Sequence, residues 1–235
     1  MVEVNKMKFA LKIGGSLLFK DDNSVNIVFL EDLIKVLRKI KKLKHDIIII
    51  IGGGKIARNF IEIARNFNAS EENCDQVGIY ASRLNAMLIA SIDPEIFHQE
   101  IPVDVDTAII YLTDNKGKFI VMGGVIPGQS TNAVAAEAAE QLKADAILNA
   151  TDVDYVYSAD PKVDPNAKPL KKISYGEFSK LIDKDAKAGK YKLFDYRAFK
   201  IIERSKIKTY MFSGKDPENI FKIINGEKIG TIISS

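Results

Sequence analysis

The stretch His45-Asp46-Ile47-Ile48-Ile49-Ile50-Ile51-Gly52-Gly53-Gly54 decides the fold. Five consecutive isoleucines are too apolar for a strand with one wet face, so the run suits a strand buried on both faces, as in a parallel sheet covered by helices. It ends in three glycines, and from Lys55 to Phe67 the apolar residues return at helical spacing. Upstream, Leu30, Leu33, Ile34, Leu37 and Ile40 recur at helical spacing among lysines and arginines, which predicts an amphipathic helix. Before that, Met7 to Ile13 reads as a strand running into Gly14-Gly15-Ser16. Strand, helix, strand, glycines, helix is the pattern of an α/β domain with right-handed crossovers.

Downstream the alternation continues. Asp75 is expected to open another helix, with Val77, Ala81, Leu84 and Leu88 on one face. Residues 93–117 read as turn-rich. Phe119 to Met122 is an expected strand ending in Gly123-Gly124, Pro127-Gly128-Gln129-Ser130-Thr131 follows, and an alanine-rich helix runs to about Lys143. Ala146 to Ala150 is a further buried strand closing on Thr151-Asp152. Residues 158–172 hold three prolines and read as an ordered loop. Helices near 175–184 and 195–205, a strand at 207–212, a helix at 217–225 and a strand at 229–233 complete the pattern. One sheet with two lobes is expected, an N-terminal lobe over 1–150 and a C-terminal lobe over 151–235.

The 235 residues are 46% hydrophobic and 28% charged, enough for a sizeable core and unlike collagen, disordered or disulfide-scaffold chains. A single cysteine, Cys74, cannot form an internal disulfide, which points to a reducing compartment. A net charge of +3 with interspersed signs gives no electrostatic case for nucleic acid. With only His45 and His98, no His/Cys metal centre or Cys–His nucleophile is expected. No apolar run approaches the roughly 20 residues of a spanning helix, and the N-terminus lacks a secretory apolar core. A soluble, cytoplasmic protein is the expectation, with chemistry resting on lysines, carboxylates, hydroxyls and backbone.

Three strands thus lead into glycine-rich segments, at 14–16, 52–54 and 123–128. Ligands in open α/β sheets bind at the carboxyl ends of strands. Glycine lets the backbone approach a ligand, and free N–H groups at helix starts attract anions. Three such segments together predict a phosphate-rich site. Walker A fails, because Gly54-Lys55 is followed by Ile56 and position 49 is isoleucine. Gly52, Gly54 and Ala57 meet G-x-G-x-x-G/A formally, but the second strand that motif requires would fall where 68–88 reads as loop then helix.

Taken together, Lys12-Ile-Gly-Gly-Ser16, Gly52-Gly53-Gly54 with Arg58, and Thr151-Asp152-Val-Asp-Tyr-Val-Tyr157 with Asp160-Pro161 resemble the amino acid kinase family, and within it the archaeal-type uridylate (UMP) kinases. Gly78-Ile-Tyr-Ala-Ser-Arg-Leu-Asn-Ala86, Gly123 to Thr131, Ala188-Gly189 with Asp195, and Lys200 to Ser205 extend the match over essentially the whole chain. The resemblance implies a three-layer αβα sandwich with a mostly parallel central sheet. It also implies transfer of the ATP γ-phosphoryl group to UMP, giving UDP and ADP in pyrimidine nucleotide biosynthesis. A phosphate acceptor is already an anionic nucleophile, so no general base is needed and the scarcity of histidine is consistent.

By the same resemblance, Lys12 is the catalytic ammonium, and Lys12, Gly14, Gly15, Ser16, Gly54, Arg58, Thr151, Asp152, Tyr157 and Asp160 hold ATP. Gly53, Asp75, Gly124, Val125, Ile126, Pro127, Gly128, Gln129, Ser130 and Thr131 hold UMP, with Asp75 accepting from the ribose hydroxyls. Mg²⁺ is expected on the nucleotide phosphates, with no protein metal site, and a homohexamer is the implied assembly. Plainer readings stand beside these: Arg58 as a surface cation, Asp75 as a helix N-cap, the segment from Gly124 to Thr131 as a turn with an N-cap, Tyr157 as ordinary burial.

Departures from the family pattern are Asp152 for asparagine, Tyr155 for glycine, Asn132 for aspartate and Tyr196 for proline. Lys187, Lys190 and Lys192 are candidates for a second catalytic lysine. The alternative functions are an acetylglutamate, carbamate or aspartate kinase on the same fold, or a non-catalytic nucleotide-binding or storage protein.

Overall fold

A computed structural model describes residues 6–114, 117–161, 163–182 and 194–235. The isoleucine run forms β2 (Asp46–Ile51), which pairs in parallel with β1 (Lys8–Ile13) on one side and β3 (Ile120–Met122) on the other. β1 also pairs in parallel with β4 (Ala146–Thr151), and β4 with β8 (Thr209–Ser213). β9 (Thr231–Ser234) runs antiparallel to β8 and parallel to β7 (Lys172–Ser174). The result is a seven-stranded sheet of order β3-β2-β1-β4-β8-β9-β7. A small antiparallel hairpin, β5 (Val156–Tyr157) with β6 (Pro169–Leu170), stands beside it.

Two cores explain why β2 shows no alternation. Ile47, Ile49 and Ile51 face the side covered by α1 (Ile27–Lys41), α3 (Glu71–Ile92) and α8 (Glu218–Ile224). Ile48 and Ile50 face the side covered by α4 (Val105–Asp114), α5 (Thr131–Leu142), α6 (Tyr175–Leu181) and α7 (Tyr196–Ser205). All five isoleucines are fully buried, each contributing roughly 1.5–3 kcal/mol of hydrophobic stabilisation. On the second side Ala133, Ala135, Ala136, Ala138 and Ala139 are buried, and their small side chains let α5 lie close to β1. Helix layers on both faces of a mostly parallel sheet are the expected αβα sandwich. The sheet is continuous across residue 150, since β4 lies between β1 and β8.

Some boundaries differ from those read in the sequence. Asp75 does not open a helix. α3 starts at Glu71, capped by Ser70, whose hydroxyl accepts from the Asn73 N–H at 3.2 Å, so Asp75 lies a full turn inside. Serine followed by two glutamates is the stronger N-terminal signal. The turn-rich stretch 93–117 contains α4, whose buried Val105, Ala108 and Leu112 share one face. Its valine, threonine and isoleucines, weak helix formers, obscured that period. The proline-bearing loop 158–172 carries β6 and the first residue of β7. The strand expected at 207–212 is β8 at Thr209–Ser213. α2 (Gly54–Asn66) starts within the glycine triplet. The expected helix 175–184 is α6, ending at Leu181, and residues 183–184 lie outside the described residues.

Candidate functional site

The carboxyl ends of β1, β2 and β3 lie side by side, so the three glycine segments meet at one edge of the sheet. A 340 Å³ cleft opens there. Lys12, Gly14, Gly15 and Ser16 line it from β1, and Gly53, Gly54 and Arg58 from the start of α2. Asp75 of α3 closes one side, and Gly124, Ile126, Gln129 and Thr131 the other. Most of the residues singled out in the sequence are thereby brought together.

The first two segments touch backbone to backbone. A Cβ on Gly15 would lie 2.2 Å from the Gly52 carbonyl oxygen and 2.4 Å from the Gly54 nitrogen, so no side chain fits. Gly54 itself has φ +68°, in the region that favours glycine. The Gly14 N–H donates to the Ala150 carbonyl at 2.9 Å, tying this edge to the end of β4.

Lys12 is the cation at the head of the cleft. Burial lowers its ammonium from 10.5 to about 8, and the Asp152 carboxylate pulls it partly back. In register with Lys12 on β4 stands Asn149, and side chains at paired positions of parallel strands share a face. Asn149 is buried, and its Nδ2 donates to Asn132 Oδ1 at 3.3 Å, while its own Oδ1 has no partner among the described residues. A neutral amide pair therefore stands on the face of Lys12, where the family pattern carries an aspartate at 132. The loss of that carboxylate is consistent with the lowered ammonium.

Helix α3 holds the glycine segments in place through residues given no role in the sequence. The Ser82 hydroxyl accepts from the Gly124 N–H at 2.7 Å and donates to the Ile79 carbonyl at 2.7 Å. Arg83 Nε donates to the Gly124 carbonyl at 2.9 Å, and its Nη2 to the carbonyls of Val103 at 2.9 Å and Val125 at 3.2 Å. Asn85 Nδ2 reaches the carbonyls of Gly52 at 2.9 Å and Gly53 at 3.2 Å. Two turns before Ser82, Asp75 Oδ2 accepts from the Gly128 N–H at 2.7 Å. The stretch Gly78 to Ala86 carried this signal as Ser-x-x-Asn polar positions on a helix otherwise apolar on that face.

Other singled-out residues lie elsewhere. Val125, Pro127, Gly128 and Ser130 belong to the loop behind the cleft wall rather than to its lining. Ser130 caps α5, accepting from the Asn132 and Ala133 N–H groups at 3.1 Å, and donates to Asp195. The turn-and-cap reading of this segment falls on Ser130, and Asp195, which caps α7 by accepting from Ala198 N–H at 2.9 Å, meets it on the same side of the sheet. Thr151 ends β4, its hydroxyl donating to the Val153 carbonyl at 3.0 Å. Asp152 acts on Lys12 through its charge. Tyr157 sits on the β5–β6 hairpin, edge-on to Tyr155 with ring centres 6.5 Å apart. Asp160 starts the following turn, its carbonyl accepting from Asp164 N–H at 2.8 Å. The candidates Lys187, Lys190 and Lys192 lie outside the described residues. Neither histidine is in the cleft: His45 is buried and accepts from the Met7 N–H at 3.1 Å, and His98 stacks on Tyr111. Cys74 is buried in α3.

Comparison with known proteins gives this geometry its context. The family model described as the amino acid kinase family matches residues 7–213. The chain belongs to the amino acid kinase family. A uridylate kinase of Methanobrevibacter smithii is 39% identical over 230 residues, covering 97% of this chain and all of the relative. One from Archaeoglobus fulgidus is 41% identical over 233 residues, with the same coverage. The crystal structure of the Archaeoglobus fulgidus uridylate kinase superposes with a TM-score of 0.84 over 97% of this chain. A UMP kinase structure from Bacillus anthracis, 22% identical, shares the fold with a TM-score of 0.81. Within the family pattern, Tyr155 turns out of the glycine cleft and lines a different cavity, and Tyr196 packs on Phe199, with ring centres 6.2 Å apart.

Proposed function

We propose that this chain is a UMP kinase that transfers the ATP γ-phosphoryl group to UMP, releasing UDP and ADP. The observation that carries the reading is a half-buried lysine at the meeting point of three glycine segments, in a chain full-length similar to archaeal uridylate kinases. Phosphoryl transfer needs alignment and charge stabilisation more than covalent help. In the proposed arrangement the donor phosphates run along the backbone of Gly14, Gly15, Ser16 and Gly54, with Arg58 beside them. Thr151, Asp152, Tyr157 and Asp160 face the rest of ATP. UMP occupies the cleft between Gly53, Asp75 and the segment from Gly124 to Thr131, where Asp75 keeps its Oδ1 for a ribose hydroxyl.

Lys12 meets the phosphoryl group between the two nucleotides and balances the charge that spreads over its equatorial oxygens. The acceptor phosphate is the nucleophile and brings its own negative charge, so the scheme uses no imidazole. Among the described residues no three metal-ligating side chains gather. These residues would fit a Mg²⁺ arriving on the nucleotide phosphates, with the Asp152 carboxylate acting on Lys12 through its charge. Bound there, the ion would screen the phosphate charges.

We also assign acceptor binding and phosphoryl transfer to residues 1–150, ATP binding to 151–235, and a cytoplasmic location. No helix among the described residues is long and apolar enough to cross a membrane. Self-association follows from α2 and α3, which pack together and leave Phe60, Ile63, Phe67, Tyr80, Leu84 and Met87 exposed. A second copy covers this apolar face in the proposed assembly, a homohexamer by family resemblance.

The test is ADP release from Mg-ATP against UMP, CMP, acetylglutamate, carbamate and aspartate. Stimulation by UMP above all others is expected. Stimulation by a carboxylate or carbamate acceptor alone would replace this reading with another kinase of the fold, and nucleotide binding without turnover would replace it with a storage role.

A further inference from the structure

A second cavity, 840 Å³, lies at the other end of the sheet, where β1, β4 and β8 begin. Along β1, Phe9 of this cavity and Lys12 of the glycine cleft are three residues apart, about 10 Å at the rise of an extended strand, and on opposite faces of the sheet. Its volume falls within the range of small-molecule sites.

Its floor is a sheet face. Lys172, Ile232 and Tyr210 are register partners across β7, β9 and β8, so their side chains stand in one row on one face. Phe9 of β1 extends that floor. Ile223 and Ile224 of α8 form one wall, and Tyr155 another. Tyr155 is the residue that departs from the family's glycine, and this cavity is where its ring goes. Tyr155 and Tyr210 are half-buried, leaving ring surface available inside.

The charge is as distinctive as the shape. Lys171 and Lys172 come from the start of β7, Lys208 from the residue before β8, and Lys228 from the α8–β9 turn, all lining the cavity. All four are exposed, and none has a carboxylate partner among the described residues. The one acidic side chain in the lining, Asp145, accepts from the Lys8 N–H at 2.8 Å. Four ammonium groups against one carboxylate leave a net positive rim around an aromatic and aliphatic floor, which attracts an anion with a flat apolar body.

We propose that this cavity is a second ligand site, distinct from the glycine cleft, for an aromatic phosphate: a planar ring on Tyr155, Tyr210 and Ile232, and a phosphate-type head among Lys171, Lys172, Lys208 and Lys228. Nothing in the proposed kinase reaction uses this site. Nucleotides and non-nucleotide aromatic phosphates share the chemistry, and competition separates them.

Pyridoxal 5′-phosphate is a suitable probe, because its aldehyde reports which lysine it meets. The lysine Nζ adds to the aldehyde carbon with loss of water to give an imine. Hydride from added borohydride then reduces the C=N bond to a stable secondary amine, and peptide mass spectrometry locates it. Label on the four cavity lysines should exceed that on other exposed lysines by about tenfold, the ratio set by ~1.4 kcal/mol of extra affinity. AMP or 4-nitrophenyl phosphate should suppress it, whichever acts at lower concentration identifying the source, while equimolar inorganic phosphate should not. Label at Lys12 belongs to the glycine cleft and is scored separately by ATP protection. Ile232→Glu, placing a carboxylate on the floor, and Lys208→Glu, on the exposed rim, should each abolish the preference without altering the melting profile. Uniform labelling of surface lysines, or equal suppression by inorganic phosphate, would overturn the proposal.

Discussion

Lys12 shows how a single residue sets both stability and chemistry. Its ammonium titrates near 8 in the fold and near 10.5 when exposed, so the unfolded chain binds more protons between those values. Stability should therefore rise with pH from about 8 to 10.5, as the cost of holding a buried charge is relieved. Lys12→Met removes that cost, and a gain of roughly 1–3 kcal/mol in unfolding free energy is expected by denaturant titration at pH 7. In the proposed reaction the same titration places an alkaline limb near pH 8 in kcat/KM for the free enzyme, because deprotonated Lys12 cannot balance phosphoryl charge. Asn132 offers a second handle. Through Asn149 it stands on the face of Lys12, so Asn132→Asp adds a carboxylate that favours the ammonium and should move the limb to higher pH. An unmoved limb in that variant would mean that a group other than Lys12 titrates there.

At the scale of elements, the site depends on segments that touch with no room for side chains. Gly15→Ala would press a methyl against the Gly52 and Gly54 backbone, both fixed by strand and helix. Loss of at least about 2 kcal/mol of stability is expected by thermal or denaturant unfolding, since backbone cannot yield as a flexible side chain does. The glycine triplets were legible because runs of glycine after apolar strands are conspicuous. Helix α3 was not, because Ser82, Arg83 and Asn85 act through hydrogen bonds to backbone carbonyls and N–H groups that only folding brings within reach. Asp75 shows the same limit. Its type and its place near the cleft could be read, but its position inside α3 and its bond to Gly128 could not.

At the scale of the molecule, the double-sided burial of β2 was enough to fix a parallel sheet between two helix layers, and hydrophobic period placed most helices. Strand order was not legible, because nothing in the local pattern says that β4 lies beside β1, or that β9 reverses against β8. Nor was the basic cavity: its lysines are scattered from 171 to 228 and converge only through sheet register. The exposed apolar face of α2 and α3 makes a prediction at this scale. In the proposed assembly Leu84, 67% exposed in the single chain, becomes a buried contact, so Leu84→Glu should shift the species seen by light scattering towards the monomer. An unchanged mass would place any subunit contact elsewhere.

The central claim is that the glycine cleft with Lys12 transfers phosphoryl groups to UMP, and it is tested most directly by measuring turnover and UMP affinity together in wild type and Lys12→Met. UDP formation followed by ³¹P NMR should fall by about 10²–10³-fold in the variant, the scale of losing one charge-stabilising group, while the Kd for UMP changes little. Undiminished UDP formation in Lys12→Met, or equal loss of turnover and UMP binding, would contradict it.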